Sequence, residues 1–219
     1  YEQSKSEILC AAIEASQKAS QILMGYLGNL KNVSEKFKAG LVTEADRESE
    51  KIIKACLSQR FPTIDFLGEE SADPELISRN KRPMWIVDPL DGTTNFVHGF
   101  HIFCVSIGYW NGSEVTAGVV QAPALNELYF AEKGSGAWMN QTRLSASSTK
   151  ELRQSLLATG FFGEDEPTLQ EQLDIFGDLV RRTRGIRRPG AAAYDLALVA
   201  RGVFDGFWER NLKPWDSAA

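Results

Sequence analysis

The residues with the clearest chemical potential lie in one stretch, Trp85-Ile86-Val87-Asp88-Pro89-Leu90-Asp91-Gly92-Thr93-Thr94-Asn95-Phe96. The apolar start predicts a buried strand that stops at Asp88-Pro89, because proline cannot continue the hydrogen-bond ladder. Gly92 then permits a turn. The turn is expected to bring four oxygen donors together: the carboxylates of Asp88 and Asp91, the Leu90 carbonyl and the Thr93 hydroxyl.

The charge of this stretch favours a divalent cation. No Lys or Arg lies between Trp85 and Phe103, and carboxylates that leave an apolar strand together cannot all stay ionised without a cation. Oxygen donors without Cys or paired His select Mg²⁺, Mn²⁺ or Ca²⁺ over Zn²⁺. If Gly92-Thr93-Thr94 opens a helix, its amides form an anion site beside that cation, which indicates a phosphate. The alternative is an Asx turn in which the two acids only cap a loop.

Composition excludes several other classes of protein. The 219 residues carry 24 Lys and Arg against 29 Asp and Glu, a net charge of −5, which disfavours nucleic acid as a partner. No apolar run approaches the roughly 20 residues needed to span a bilayer, so no membrane association is expected. The three cysteines, Cys10, Cys56 and Cys104, lie far apart in apolar surroundings, which predicts buried thiols in the reducing cytoplasm.

Two helices and two strands are predicted to position these residues in the first half of the chain. Apolar residues recur at helical spacing from Ser6 to Leu30. Thr43-Glu44-Ala45-Asp46 matches a helix N-cap, with the helix running to about Leu57. Short strands at 64–67 and 84–87 run almost directly into acids, Glu69-Glu70 after the first and Asp88 after the second.

The rest of the chain alternates strands and helices. Turn signals separate an antiparallel meander with strands at 103–110, 115–121, 128–131 and 136–139. The second half predicts strands at 155–159 and 203–209 and helices at 167–182 and 191–200. We expect a single domain, 1–219, with two lobes of about 1–145 and 146–219.

Three blocks together resemble the inositol monophosphatase family: Gly68-Glu69-Glu70-Ser71, then Asp88 to Phe96, then Trp215-Asp216. The resemblance extends from the first helix to the final residue. It implies an α+β fold, the layered α/β/α/β/α sandwich shared with fructose-1,6-bisphosphatase. It also implies a Li⁺-sensitive phosphatase that uses two to three Mg²⁺ ions and forms a homodimer.

The resemblance also implies a role for each acid. One metal is expected on Glu69, Asp88, the Leu90 carbonyl and Thr93, and a second on Asp88, Asp91 and Asp216. Glu69 is implied at a third, weaker metal as well. Asp46 is expected to pair with Thr93 to orient and deprotonate the attacking water. The implied reaction is direct in-line displacement by a metal-activated water, with no covalent phosphoenzyme.

Substrate recognition is implied at two further places. Gly92, Thr93 and Thr94 are expected at the phosphate, and Glu209 matches the family acid that accepts hydrogen bonds from inositol hydroxyls. Ala191 lies in the stretch that lines the substrate side and lacks the hydroxyl that is usual there. Myo-inositol 1-phosphate is therefore the first-choice substrate, a small phosphorylated polyol.

Other functions stay open at this point. Five arginines lie within eight positions, which indicates a solvated helix end or subunit contact, with a second-phosphate site as the alternative: Arg181, Arg182, Arg184, Arg187 and Arg188. A second phosphate fits fructose 1,6-bisphosphate or 3′-phosphoadenosine 5′-phosphate, and histidinol phosphate is a further candidate. A regulatory binding partner with residual activity is the rival from another class.

The position of the last residue raises a separate expectation. Ala219 follows Asp216 by only three residues, whereas the resemblance implies another helix and strand. A ligand on a chain end would fray. We therefore expect a missing C-terminal segment and a weak second metal site in this form.

Overall fold

The computed structural model describes residues 5–36, 40–72, 81–161 and 166–219. Helix α1 spans Glu7–Tyr26 and is capped by Ser6, whose hydroxyl accepts a hydrogen bond from the Leu9 amide at 3.1 Å. It ends one turn earlier than the predicted Leu30, and Gly28 follows with φ +77°. In the described residues no helix is both long and apolar enough to cross a membrane.

Helix α2, Glu44–Arg60, confirms the predicted cap. The Thr43 hydroxyl accepts hydrogen bonds from the amides of Ala45 and Asp46, and the Asp46 carboxylate accepts one from the Thr43 amide at 2.7 Å. This reciprocal pair satisfies amides that have no partner inside the helix. Before it, strands β1 (Val33–Lys36) and β2 (Gly40–Thr43) form an antiparallel pair that the sequence did not predict.

A seven-stranded sheet forms the centre of the molecule, with its strands in chain order. Strand β3 (Asp65–Gly68) pairs parallel with β4 (Met84–Asp91), and all later pairs are antiparallel. The later strands confirm the predicted meander: β5 (Cys104–Trp110), β6 (Val115–Ala122), β7 (Glu127–Glu132), β8 (Gly136–Met139) and β9 (Thr142–Arg143). Helices α1 and α2 cover one face and bury Trp85 and Val87 against it.

The predicted end of the motif strand at Asp88-Pro89 is wrong. Strand β4 continues to Asp91, with its pairing to β5 shifted between Asp88 and Asp91. This bulge accommodates Pro89, since a residue in a bulge does not need to donate to the ladder. The bulge displaces the two carboxylates from regular strand positions while both stay attached to the sheet.

A second, smaller sheet is parallel, with the strand order β11-β10-β12. Its strands are β10 (Leu156–Thr159), β11 (Gly185–Arg187) and β12 (Gly206–Trp208). The last is shorter than the predicted 203–209, because the amides of Val203 and Phe204 bond back to the Leu198 carbonyl and so form a turn.

Four more α-helices complete the layers in the described residues. Helix α3 (Thr93–Val97) follows the motif turn, α4 (Glu166–Arg182) contacts β11, and α6 (Pro214–Ser217) contacts β4 and β5. Helix α5 (Ala192–Ala200) contacts strands of both sheets and so lies between them. The predicted α/β/α/β/α sandwich is confirmed.

Candidate active site

The bulged end of β4 forms the centre of the candidate site. Asp88 is 2% exposed, and its Oδ1 accepts a hydrogen bond from the Leu90 amide at 3.0 Å. Gly92 follows with φ +89° and allows α3 to start at Thr93. The Asx contact of the alternative interpretation is therefore present at Asp88, but it uses only one carboxylate oxygen, and several more acids lie nearby.

Asp46 and Thr93 are in contact, as the family resemblance implies, although 47 residues separate them. The Thr93 hydroxyl lies 3.1 Å from Asp46 Oδ1 and 3.0 Å from the Leu90 carbonyl oxygen. Thr43 donates to the other carboxylate oxygen, Oδ2. Burial raises the pKa of Asp46, and the negative charge of Glu69 raises it further, against the effect of its hydrogen bonds.

Asp91 is held from the second half of the chain. Its Oδ2 accepts a hydrogen bond from the Ala193 amide at 2.7 Å, and the buried thiol of Cys104 lies 3.6 Å from the same oxygen. Burial raises the pKa of Asp91 to about 7, and the charges of Asp216 and Glu69 act in the same direction. Both donors engage one oxygen, which leaves the other lone pairs of the carboxylate for a ligand.

Glu69 and Asp216 belong to the same electrostatic cluster. Burial raises the pKa of Asp88 well above its usual range, and the nearby charges of Glu69, Asp91 and Asp216 add to the effect. Burial together with the charge of Glu69 raises the pKa of Asp216 to about 6. Asp216 sits in α6, where it accepts a hydrogen bond from the Lys213 amide at 2.6 Å.

One neighbouring group, Glu50, supports these acids and was missed from the sequence. The buried carboxylate of Glu50 accepts a hydrogen bond from the Glu70 amide at 2.8 Å. A side chain on Gly68 would collide with it, since a Cβ there would lie 2.3 Å from Glu50 Oε2. Glu50 therefore holds the turn that carries Glu69. Its helical position looked like any polar position of α2, so no local signal marked it.

Glu209 lies next to Gly160 and within electrostatic reach of Asp216 and Asp195. A Cβ on Gly160 would overlap with the Glu209 carboxylate in its present position, so the missing side chain at Gly160 leaves room for it. Burial raises the pKa of Glu209 to about 7, with a contribution from the charge of Asp216 and an opposing one from Arg188. Glu209 is therefore close enough to Asp216 for the two charges to influence each other.

Asp195 is a further buried acid that the sequence did not single out. It is 1% exposed in α5, and its Oδ1 has no hydrogen-bond partner among the described residues. Burial raises its pKa to about 8, and the charges of Asp91 and Glu209 act in the same direction. Asp195 therefore shares the electrostatic environment of both groups.

The remaining predicted substrate residues differ in their exposure. Thr94 is exposed in the first turn of α3, and Gly92 is half-buried. Ala191 is 1% exposed, and its Cβ lies 3.2 Å from where a Cβ on Gly92 would be. The methyl group of Ala191 thus packs on the motif turn. All five clustered arginines are exposed, and Arg188 Nη1 lies 3.1 Å from the Cβ position of Gly190.

The donor chemistry of this cluster fits hard divalent cations. Its ligating atoms are oxygens, and no basic side chain is among the main influences on the pKa values of Asp46, Asp88 and Asp91. In the part of the chain that the structure describes, no three His, Cys, Asp or Glu side chains form a ready-made metal cage. The acids share one electrostatic environment, and we assign them no coordination geometry.

Comparison with known proteins identifies the family. The model of the inositol monophosphatase family matches residues 4–219. The chain belongs to this family. An inositol-1-monophosphatase of Rhizobium meliloti is 42% identical over 98% of this chain and 81% of its own length. The Nus factor SuhB of Pseudomonas aeruginosa is 40% identical over 97% of this chain and 80% of its own.

Solved structures agree with this assignment. The extragenic suppressor protein SuhB from Bartonella henselae superimposes with a TM-score of 0.88 at 40% identity, over 98% of this chain and 82% of that one. The predicted family and fold are therefore confirmed. Membership of the inositol monophosphatase family makes the chain a phosphatase.

Proposed function

We propose that this protein hydrolyses the phosphate monoester of a small polyol, with myo-inositol 1-phosphate as the preferred substrate. The observation that carries the proposal is the contact between Thr93 and Asp46, which joins a proton acceptor to the motif turn inside the acid cluster. Glu209, which feels the charge of Asp216, supports a substrate that carries hydroxyl groups, because a carboxylate accepts hydrogen bonds from diols.

Glu69, Asp88, Asp91, Asp216, the Leu90 carbonyl and Thr93 are the residues that would hold two to three Mg²⁺ ions. When bound, such ions lower the pKa of water and stabilise negative charge on the leaving oxygen. We propose Li⁺ sensitivity as well, as the family resemblance implies. A homodimer and a cytoplasmic location stay predictions, as does the division into lobes of 1–145 and 146–219.

In the proposed mechanism Thr93 and Asp46 move the proton. The Thr93 hydroxyl donates to Asp46 Oδ1, so its oxygen can accept a proton from the attacking water while its own proton passes to Asp46. Burial raises the pKa of Asp46, which makes the carboxylate a better base. In this mechanism the first amides of α3 would bind the phosphate, and Glu209 would orient the alcohol part.

The test is phosphate release from a panel of four esters, with Mg²⁺ and with EDTA. The panel contains myo-inositol 1-phosphate, histidinol phosphate, fructose 1,6-bisphosphate and 3′-phosphoadenosine 5′-phosphate. Mg²⁺-dependent turnover that prefers the inositol ester supports the proposal. Preference for another ester keeps the mechanism but removes the polyol role of Glu209, and no turnover of any ester overturns the proposal.

Replacing Thr93 with valine is expected to lower kcat. The substitution keeps the shape of the side chain and removes the hydroxyl that links the water to Asp46, so kcat should fall by about 10²-fold or more while KM changes little. Steady-state kinetics at saturating Mg²⁺ measures this. Thr142→Val, at an exposed position in β9, is the matched control. A Thr93→Val variant with normal kcat would contradict the proton path.

Replacing Glu209 with glutamine is expected to change specificity. The neutral amide accepts hydrogen bonds from hydroxyls more weakly, so KM for myo-inositol 1-phosphate should rise by about tenfold, which corresponds to the loss of one charged hydrogen bond. The KM for 4-nitrophenyl phosphate, which has no polyol, should stay the same. Glu7→Gln, at an exposed position in the first turn of α1, is the control. Equal effects on both esters would argue against a polyol contact.

A role as a binding partner in transcription is the second candidate. It is favoured by the similarity to the Nus factor SuhB of Pseudomonas aeruginosa and by the exposed arginine cluster. An Asp91→Asn variant separates the two roles in cells. If turnover and the cellular phenotype are lost together, the phosphatase activity is the function; if turnover alone is lost, the partner role accounts for the phenotype.

A further inference from the structure

The turn at the end of β4, from Asp91 to Asn95, lies beside the segment Pro189–Ala193. The two are in contact at every second residue of that segment. The Asn95 amide nitrogen Nδ2 donates to the Pro189 carbonyl at 2.8 Å. The Cβ of Ala191 lies 3.2 Å from the Cβ position of Gly92. The Ala193 amide donates to Asp91 Oδ2 at 2.7 Å. This row of contacts joins the turn at the end of β4 to the stretch that precedes and opens α5.

Asn95 is the only side chain in this row that contributes a hydrogen bond from the turn to a backbone carbonyl of the segment. Its two N–H groups are both used: Nδ2 lies 2.7 Å from the Ile102 carbonyl and 2.8 Å from the Pro189 carbonyl. The two acceptors are 87 residues apart in sequence, so one amide group fixes the loop after α3 and the start of the segment together. A side-chain amide nitrogen carries two N–H donors. No other uncharged side chain of this size carries two donors on one atom.

The backbone of the segment is shaped around this amide. Gly190 has φ +90°, a conformation that favours glycine, and a Cβ there would lie 3.3 Å from Asn95 Nδ2. Any other residue at 190 would press on Asn95. The segment therefore approaches the turn closely, and the Asn95 hydrogen bonds hold it there.

We propose that Asn95 is a positioning residue that sets the substrate side of the site by fixing Pro189–Ala193 on the turn. The inference rests on the proposed function, in which this segment lines the polyol end between Asp91 and Glu209. Asn95 touches neither the acids nor the expected phosphate position through any described contact. Asn95 determines the position of the segment. It therefore affects recognition of the alcohol part of the substrate and leaves the proton path unchanged.

The matched control is Glu127, which ties Tyr194, in the first turn of α5, and Arg201, directly after its last residue, to the seven-stranded sheet. Its carboxylate accepts hydrogen bonds from Tyr129 and Tyr194 at 2.8 Å each and from Arg201 at 2.7 Å. Glu127→Gln therefore weakens a link between the same two parts of the molecule without touching the segment. It controls for general loosening of α5.

The test compares Asn95→Leu, Asn95→Ser and Glu127→Gln by kinetics and by hydrogen exchange. Leucine keeps the size of the side chain and removes both donors, and serine keeps one short donor in case the leucine variant does not fold. Both Asn95 variants should raise KM for myo-inositol 1-phosphate by about tenfold, with kcat for 4-nitrophenyl phosphate within about threefold of the parent. The amide of Ala193 should exchange faster in both.

In Glu127→Gln, KM should stay the same, and faster exchange should appear at the Arg201 amide, which bonds to the Ala197 carbonyl at the C-terminal end of α5. Equal KM changes in the Asn95 and Glu127 variants, or unchanged exchange at Ala193 in the Asn95 variants, would overturn the inference. If the parent protein hydrolyses neither ester, the proposed function fails, while the exchange measurement still decides whether Asn95 positions the segment.

Discussion

Asp91→Asn should lower kcat/KM by about 10³-fold or more, which is equivalent to about 4 kcal/mol of transition-state stabilisation. The carboxylate lies in the bulged end of β4, with one oxygen engaged by Ala193 and Cys104. An amide keeps the shape and can still accept those hydrogen bonds, but it loses the charge that a divalent cation requires. Initial rates over a range of Mg²⁺ concentrations measure the effect.

The same substitution should stabilise the metal-free protein at pH 8. Burial raises the pKa of Asp91 to about 7, so at pH 8 the folded state carries an unfavourable buried charge that asparagine removes. Urea unfolding in EDTA should therefore show a higher free energy of unfolding for the variant. Asp178→Asn, at an exposed acid of α4, is the control and should change neither quantity strongly. An Asp91→Asn variant that is active, or inactive only because it is unfolded, would contradict the assignment.

The metal-free protein should lose stability as the pH rises from 5 to 8. Burial raises the pKa values of Asp91 and Asp195 to about 7 and about 8, from 3.8 in the unfolded chain. A carboxyl group with a raised folded-state pKa binds more protons in the folded state than in the unfolded state. Its stabilising contribution is complete below pH 3.8 and is lost as the pH rises through the folded-state pKa.

The expected loss is about 2 kcal/mol or more between pH 5 and pH 8, since each pKa unit of one group corresponds to about 1.4 kcal/mol. Urea unfolding in EDTA at several pH values measures it. Saturating Mg²⁺ should reduce the loss, because a ligand that binds only the folded state stabilises it and favours the ionised acids. Asp195→Asn should flatten the curve in EDTA. A metal-free protein that is equally stable at pH 5 and pH 8 would show that these acids are not held in an unfavourable environment.

Elements whose contacts are local were predictable from the sequence. The cap of α2 joins Thr43 and Asp46, three positions apart, and the helix that starts at Thr93 follows from Gly92. The meander strands follow from apolar runs and turn signals. The end of β4 was not predictable, because whether a proline ends a strand depends on whether the neighbouring strand allows a bulge, and β5 does.

The residues of the candidate site also divide into those that the sequence predicted and those that it did not. The motif and its resemblance to a family predicted Asp46, Thr93, Asp88, Asp91 and the other acids, and the contact of Asp46 with Thr93 is present. Glu50 and Asp195 were missed, because a buried acid in a helix has no local pattern that separates it from an exposed one. Their burial depends on which face of α2 and α5 the sheets cover.

The sequence alone determined the family, the oxygen-donor chemistry and the turn that carries Asp88, Asp91 and Thr93, because these depend on residue types and on contacts within a few positions. Only the tertiary structure decided which oxygen of Asp91 stays available and where Glu209 lies. The first depends on the Ala193 amide, 102 positions away, and the second on the space above Gly160. Such contacts are set by sheet register and helix packing, which bring distant backbone groups together at distances that no local spacing encodes.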